Sequence, residues 1–226
     1  MARTRFTEAD HLLVTEAVAR AERRSDGEIV TIVAEKSDSY HDVALHYGVL
    51  AMLLVPAALS AVPQAWIDDL STLLLGWNAE LSRPVVMIGL FVLMITAFLM
   101  VRLVLASMPL RMALTPGATK SRRVGRRAVE LFRVAAEKKT SGRTGVLLYL
   151  SLAEHRAEIV ADEAIHSKVK PEVWGEAMEV LVEHVRDGRP GEGMAQAVDR
   201  IGEVLATCLP KSLDDPNQIP DRLIEL

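Results

Sequence analysis

The sequence predicts an α/β fold, a small β-sheet flanked by helices, interrupted by a two-helix transmembrane hairpin. Three observations predict it. Residues 84–101 contain no charged side chain, and a second apolar run occupies roughly 45–66. A helix rises about 1.5 Å per residue, so a run of this length crosses most of a hydrocarbon core about 30 Å thick. Residues 28–35 and 146–152 are short runs rich in β-branched residues or leucine, the signature of buried strands. Apolar stripes at helical spacing precede the first apolar run and follow the second.

Taken in order, residues 7–24 read as an amphipathic helix. Thr7 and Asp10 have the spacing of a capping box, with Asp in place of the usual Glu or Gln. Leu13, Ala17, Val18 and Ala21 form its stripe, Arg23 and Arg24 suit its last turn, and Gly27 suits a left-handed exit. The strand at 28–35 follows. It needs a neighbour, and no other strand precedes the first span.

The spans lie at about 45–66 and 84–107. Pro56 and Pro63 interrupt the first, which membrane helices tolerate when freed carbonyls find partners. The intervening loop, 67–83, sets Asp68, Asp69 and Glu80 against Arg83 and is bordered by Trp66 and Trp77. Arg20, Arg23, Arg24 and Lys36 precede the spans; Arg111, Lys120, Arg122, Arg123, Arg126 and Arg127 follow them. The positive-inside rule then places both flanks in the cytoplasm of a bacterial-type inner membrane and the loop outside. Arg3 and Arg5 lead into polar Thr7, Glu8 and Asp10 rather than a signal-peptide apolar core, so insertion uses the internal spans.

Beyond the spans, Val124, Ala128, Leu131, Phe132 and Ala135 mark a helix, and 140–145 a loop. Residues 146–152 and 157–161 read as a hairpin joined by a turn at 153–156. Lys170 and Pro171 open a helix carrying Val173, Ala177, Val180, Leu181 and His184. After Gly188 and Pro190, a last helix carries Met194, Val198, Ile201, Leu205 and Cys208. The organisation is therefore 1–36 and 120–209 as two parts of one α/β domain, 37–119 as an inserted membrane hairpin, and 210–226 as a polar tail with Pro216 and Pro220.

Half of the 226 residues are hydrophobic, the net charge is −4 and Cys208 is the sole cysteine. No intramolecular disulfide is available. An acidic balance with little aromatic interleaving argues against nucleic acid as a partner. No phosphate-binding loop, zinc spacing or nucleophile elbow occurs. The best polar cluster is Asp162, Glu163 and His166 past a strand end; with Asp26 and Glu28 it offers oxygen ligands to Ca²⁺ or Mg²⁺. The plainer reading is a solvated pair of loop acids. Glu154, His155 and Arg156 read as a solvated turn, His184 as a core histidine, and Cys208 as a small core residue. Arg122, Arg123, Arg126 and Arg127 form a basic cluster suited to orienting the spans and facing anionic lipid headgroups.

The residues Gly27–Val33, Ala128–Phe132, Thr144–Arg156, Ile159–Asp162, Trp174, Gly188, Gly193 and Ala197–Gly202 together resemble the TPM-domain family over about 7–36 and 120–209. The resemblance implies a small sheet flanked by helices. It also implies either acid phosphatase or calcium-binding activity, or an accessory role in a membrane complex. The glycine-rich stretch usual after the hairpin is replaced here by Asp162 to His166. The expected function is a non-enzymatic accessory or scaffold protein working with the bilayer, a membrane protein complex or further copies of itself. The alternative is a metal-dependent phosphatase or divalent-cation sensor.

Overall fold

The computed structural model of the chain describes residues 6–76, 82–135, 144–169, 171–212 and 221–226. Arg3, Arg5, Trp77, Glu80, residues 140–143, Lys170, Pro216 and Pro220 lie outside the described residues. The elements in chain order are α1 (Glu8–Glu22), β1 (Glu28–Ala34), α2 (His41–Ser60), α3 (Gln64–Leu75), α4 (Arg83–Val104), α5 (Met108–Leu114), α6 (Gly117–Ala135), β2 (Gly145–Ser151), β3 (Arg156–Ala161), α7 (Glu163–His166), α8 (Pro171–Arg186), α9 (Pro190–Cys208) and β4 (Ile224–Glu225). They divide into one unit of residues 1–38 and 117–226 and another of residues 39–116.

The first unit is a mixed α/β layer structure around one four-stranded sheet, in the order β3-β2-β1-β4. β1 runs parallel to β2, with Glu28 opposite Gly145 and Ala34 opposite Ser151. β3 returns antiparallel to β2. Strands that bury both faces need no polar alternation, and every residue of β1 and β2 is buried. Their side chains alternate between two apolar clusters. Ile29, Val33, Val146, Leu148 and Leu150 meet the helices α1, α8 and α9 through Val18, Leu181, Val198 and Ile201. Val30, Ile32, Ala34, Leu147 and Tyr149 meet Val124, Ala128 and Phe132 of α6.

Thr7 caps α1 through the expected box: Asp10 N–H donates to Thr7 Oγ1 at 3.2 Å, and Thr7 N–H donates to Asp10 Oδ2 at 2.8 Å. The buried stripe of α1 uses Val14 with Ala17, Val18 and Ala21, whereas Leu13 is exposed. α1 and α9 approach closely because Gly202 has no side chain; a Cβ there would stand 2.6 Å from that of Ala21. Gly27 is not left-handed; among the described residues the glycines with positive φ are Gly76 and Gly188. It is small because Leu205 packs directly over it. The polar tail also differs from expectation. Its end forms β4, parallel to β1, with Ile32 opposite Ile224, and Leu223 enters the core. A two-residue strand has no periodicity of its own; it forms because β1 would otherwise present an unpaired edge.

In the second unit, α2 and α4 pack on each other, and Gly48 lies against the ring of Phe98, leaving no room for a Cβ. Both helices are long and apolar enough to cross a membrane. α4 has no buried residue, and α2 buries only Val43, Ala44 and Gly48. Large apolar side chains such as Leu53, Ile88, Phe91 and Leu103 point outward. The first apolar helix runs from His41 to Ser60 and not to about 66, and Pro56 lies inside it without ending it. Pro63 instead sits at the start of α3, a helix where the sequence suggested only loop. Its fixed φ and its effect on the preceding residue enforce the break. Arg111 ties the ends of this unit together. Its Nη1 donates to the Ser39 carbonyl at 2.6 Å and lies 3.0 Å from His41 Nδ1, while Nη2 donates to the Ala106 carbonyl at 3.2 Å.

Candidate functional site

Ligand crevices in α/β sheets form beyond the carboxyl ends of parallel strands, where loops diverge and backbone groups are free to turn. In the first unit that end lies past Ala34 and Ser151. The turn after β2 is held against the chain after β1: Leu152 N–H donates to the Ala34 carbonyl and Ala153 N–H to that of Glu35. His155 takes a left-handed conformation, φ +48°, which closes the turn into β3.

Glu154 is the centre of this end. The sequence suggested a solvated turn acid, but the residue is only 6% exposed. Its Oε1 accepts the Ser37 N–H at 2.9 Å, and its Oε2 accepts the Ser151 hydroxyl. The Tyr149 hydroxyl lies 3.0 Å from Ser37 Oγ. Burial pushes the Tyr149 phenol up from its ordinary value, the Ser37 contact opposes this, and the neighbouring Glu154 carboxylate adds to it. Asp38 pairs with Arg123 at 3.0 Å, and Arg126 stands 3.7 Å from it. The arrangement is a carboxylate already satisfied by two donors. It braces the two parallel strands.

Beside it lies a cleft of about 410 Å³ along β3, between α6 and α8, lined in part by Ser121, Arg156, Glu158, Met178, Val182 and Arg186. Burial pushes the Glu158 carboxyl up. Among the described residues the Nε of Arg156 is buried with no hydrogen-bond partner. Sequence reasoning placed Arg156 in a solvated turn; no pattern signals that the edge strand would lean it into a recess.

The predicted metal residues fall at the opposite end of the sheet. Asp162 is 6% exposed, and its Oδ2 accepts the Gly145 N–H at 2.9 Å, pinning the start of β2 to the end of β3. Glu163 and His166 are exposed on the single turn of α7. Asp26 accepts the Ser212 N–H at 2.8 Å and lies 3.9 Å from Lys211 Nζ. That hydrogen bond, above all, holds its carboxyl below the ordinary range. Glu28 is buried at the start of β1. It shares a cavity of about 250 Å³ with Glu22, Lys211 and Asp221.

Glu22 accepts the Ile29 N–H at 2.9 Å, and desolvation pushes its carboxyl up to about 8, with Glu28 and Asp221 adding to the effect. The signal that could have found Glu22 is its position four residues after buried Val18 on α1. The structure thus brings Glu28 toward Glu22 and Asp221, while Asp162 and Glu163 stand on the far side of β2. Among the described residues no three His, Cys, Asp or Glu side chains gather closely enough to hold a metal ion.

Of the basic cluster, Arg123 is turned inward to Asp38, Arg127 lies 3.5 Å from Glu130, and Arg122, Arg126 and Arg127 are exposed. His184 Nδ1 lies 2.9 Å from the Val180 carbonyl and its Nε2 lies 3.2 Å from the Gln196 amide. Cys208 packs partly buried against the core.

Residues 108–204 match the sequence model of the TPM domain. The fold resembles the NMR structure of the BA42 protein from the psychrophilic bacterium Bizionia argentinensis. The two align with a TM-score of 0.55 at 14% identity, covering 98% of this chain and 95% of that one. No curated protein matches.

Proposed function

We propose that this chain, which carries a TPM domain over residues 108–204, is an integral membrane accessory protein whose α/β unit works at the cytoplasmic face. The observation that carries the reading is α4: it has no buried residue, and residues 84–101 carry no charge. An all-round apolar helix is stable against lipid and unstable against water. At about 1.5 Å per residue, α2 and α4 span roughly 30 and 33 Å, matching a hydrocarbon core. The asymmetry of Lys and Arg about the spans supports cytoplasmic termini in a bacterial-type inner membrane. Exposed Arg122, Arg126 and Arg127 follow the second span closely in sequence and suit contact with anionic headgroups, at about 1 kcal/mol each. The buried, doubly bonded Glu154 favours a scaffold over a catalyst at the carboxyl end of the sheet.

Reporter fusions test the topology. Fusions after Lys36 and after Leu209 should report a cytoplasmic location, and one at Asn78 an external location. An external signal from the fusion after Leu209 would overturn the reading.

A further inference from the structure

We propose that the free edge of β3 is a docking strip for an extended segment of a partner protein, one that alternates apolar and polar residues and carries one carboxylate. The inference deepens the accessory role proposed above and rests on it.

β3 ends the sheet order, whereas β1 and β2 are each paired on both sides. Asp162 N–H donates to the Gly145 carbonyl of β2. In an antiparallel ladder the direction of the backbone groups alternates, so Glu158 and Val160 bond toward β2 while Ala157, Ile159 and Ala161 present N–H and C=O outward. Exposed edges are commonly blunted by proline, lysine or a bulge. β3 contains no proline, its register against β2 is unbroken from Arg156 to Ala161, and its two charged residues, Arg156 and Glu158, both stand on the α6 side.

The flanks of the edge differ, and the difference specifies the guest. Arg156 and Glu158 lie opposite Ser151 and Tyr149, on the α6 side of the sheet. Ala157 and Ile159 belong to the cluster shared with α8. A strand added to this edge alternates in the same way. Its residues on one side meet half-buried Met178 and Val182; those on the other meet Ser121 and Arg156. Arg156 holds a buried Nε with no hydrogen-bond partner among the described residues, and Arg186 stands on the same cleft. A carboxylate in the cleft accepts from a guanidinium through two parallel hydrogen bonds. Opposite Glu158, whose carboxyl burial pushes up, an uncharged residue fits. A second copy of this chain is the poorer guest. Its own β3 edge lies at the floor of a cleft walled by α6 and α8, and two recessed edges cannot meet where a single strand can enter.

The experiment uses the full chain in detergent micelles and fluorescein-labelled peptides of about eight residues, a typical strand length. The parent peptide alternates valine and threonine; one version replaces a threonine with glutamate and another with lysine. By fluorescence anisotropy the glutamate peptide should bind at least about tenfold more tightly than the lysine peptide. N-methylation of alternate peptide amides should abolish binding, because it removes the strand hydrogen bonds without touching the protein. Arg156→Gln should erase the preference for glutamate while leaving binding of the parent peptide intact. Equal binding of the charged peptides, binding that survives N-methylation, or no binding at all would overturn the proposal. So would a dimer in sedimentation that Ile159→Pro dissociates, which would assign the edge to a second copy. A failed peptide assay leaves the fusion mapping untouched, and a failed mapping leaves the peptide result untouched, so the two readings fail separately.

Discussion

Helices α4 and α9 have similar lengths, 22 and 19 residues, and draw on many of the same apolar residues, yet they meet their surroundings in opposite ways. α9 buries Met194, Val198, Ile201 and Leu205 on one stripe and turns Arg200 and Glu203 outward. α4 buries nothing and exposes Val85, Ile88, Phe91 and Leu99 around its circumference. The difference teaches which solvent each helix is built for. A stripe implies water on the other side; an all-round apolar surface calls for an apolar neighbour on every side, a protein interior or a membrane. The first unit hides apolar groups and can even hold carboxylates inside, with Glu22, Glu154 and Asp162 held by backbone or hydroxyl donors. The second wears its apolar groups outside and turns the buried Arg111 onto its own backbone.

The sharpest break in that comparison is a charge placed on an isoleucine of each unit. Ile32 is 2% exposed and Ile88 is 63% exposed. Ile32→Asp buries an unpaired carboxylate in the sheet and should destabilise the α/β unit by about 3–5 kcal/mol in a urea titration in detergent. Ile88→Asp should leave that transition in place. It should instead lower the fraction of protein that resists alkaline carbonate extraction from membranes, since an aspartate within the span costs up to about 3 kcal/mol of insertion. Equal effects of the two changes on the urea transition would abolish the distinction.

A second prediction concerns the carboxylate that the first unit hides at the end of α1, against the start of β1. Glu22 has its carboxyl raised to about 8 in the folded chain against 4.5 when solvated. The folded state then holds the proton more tightly than the unfolded state does. Its contribution to stability is complete below about pH 4.5 and is lost as pH rises through about 8. Stability should fall by up to about 1.4 kcal/mol per pH unit within that window. Glu22→Gln, which cannot ionise, should flatten the slope in urea titrations between about pH 5 and 8. A slope unchanged in that variant would assign the pH dependence elsewhere.

Smaller still is the brace at the other end of the sheet. Glu154→Ala leaves the Ser37 N–H and the Ser151 hydroxyl without their acceptor and should cost about 1–3 kcal/mol, read by thermal unfolding. Glu154→Gln keeps an acceptor and should recover part of the loss. The smallest expected effect is calcium. Asp162 and Asp26 are already engaged by backbone N–H groups. A cation would have to displace those bonds to gather several oxygens. Calorimetric titration with Ca²⁺ should show no stoichiometric binding; tight binding lost in Asp162→Ala would revive the metal-dependent alternative.

The elements that carried their own signal were the readable ones. The capping box at Thr7 and Asp10 forms because its partners are three residues apart. The β-branched run of β1 and the hairpin of β2 and β3 are local patterns with fixed spacing. The candidate residues were read less well. Asp162 looked like a loop acid and is a buried strand clamp, and Glu154 looked solvated and is a brace. Burial of a single polar residue depends on what distant segments bring against it: Ser37 reaches Glu154 across more than a hundred residues of chain.

The sequence by itself determined the fold class, the presence of two helices apolar enough to cross a membrane, and the need of β1 for a neighbour. Each of these follows from local propensity and from the period of apolar residues along the chain. The tertiary structure alone decided that β1 pairs with β2 in parallel, that Ile224 and Glu225 close its other side, and that Asp26 and Asp162 lie apart. It also decided that β3 ends the sheet order and that, among the described residues, the Nε of the neighbouring Arg156 has no partner. Pairings of this kind bring together residues far apart in the chain, and their free energy depends on the complementarity of whole faces rather than on any residue's own preference.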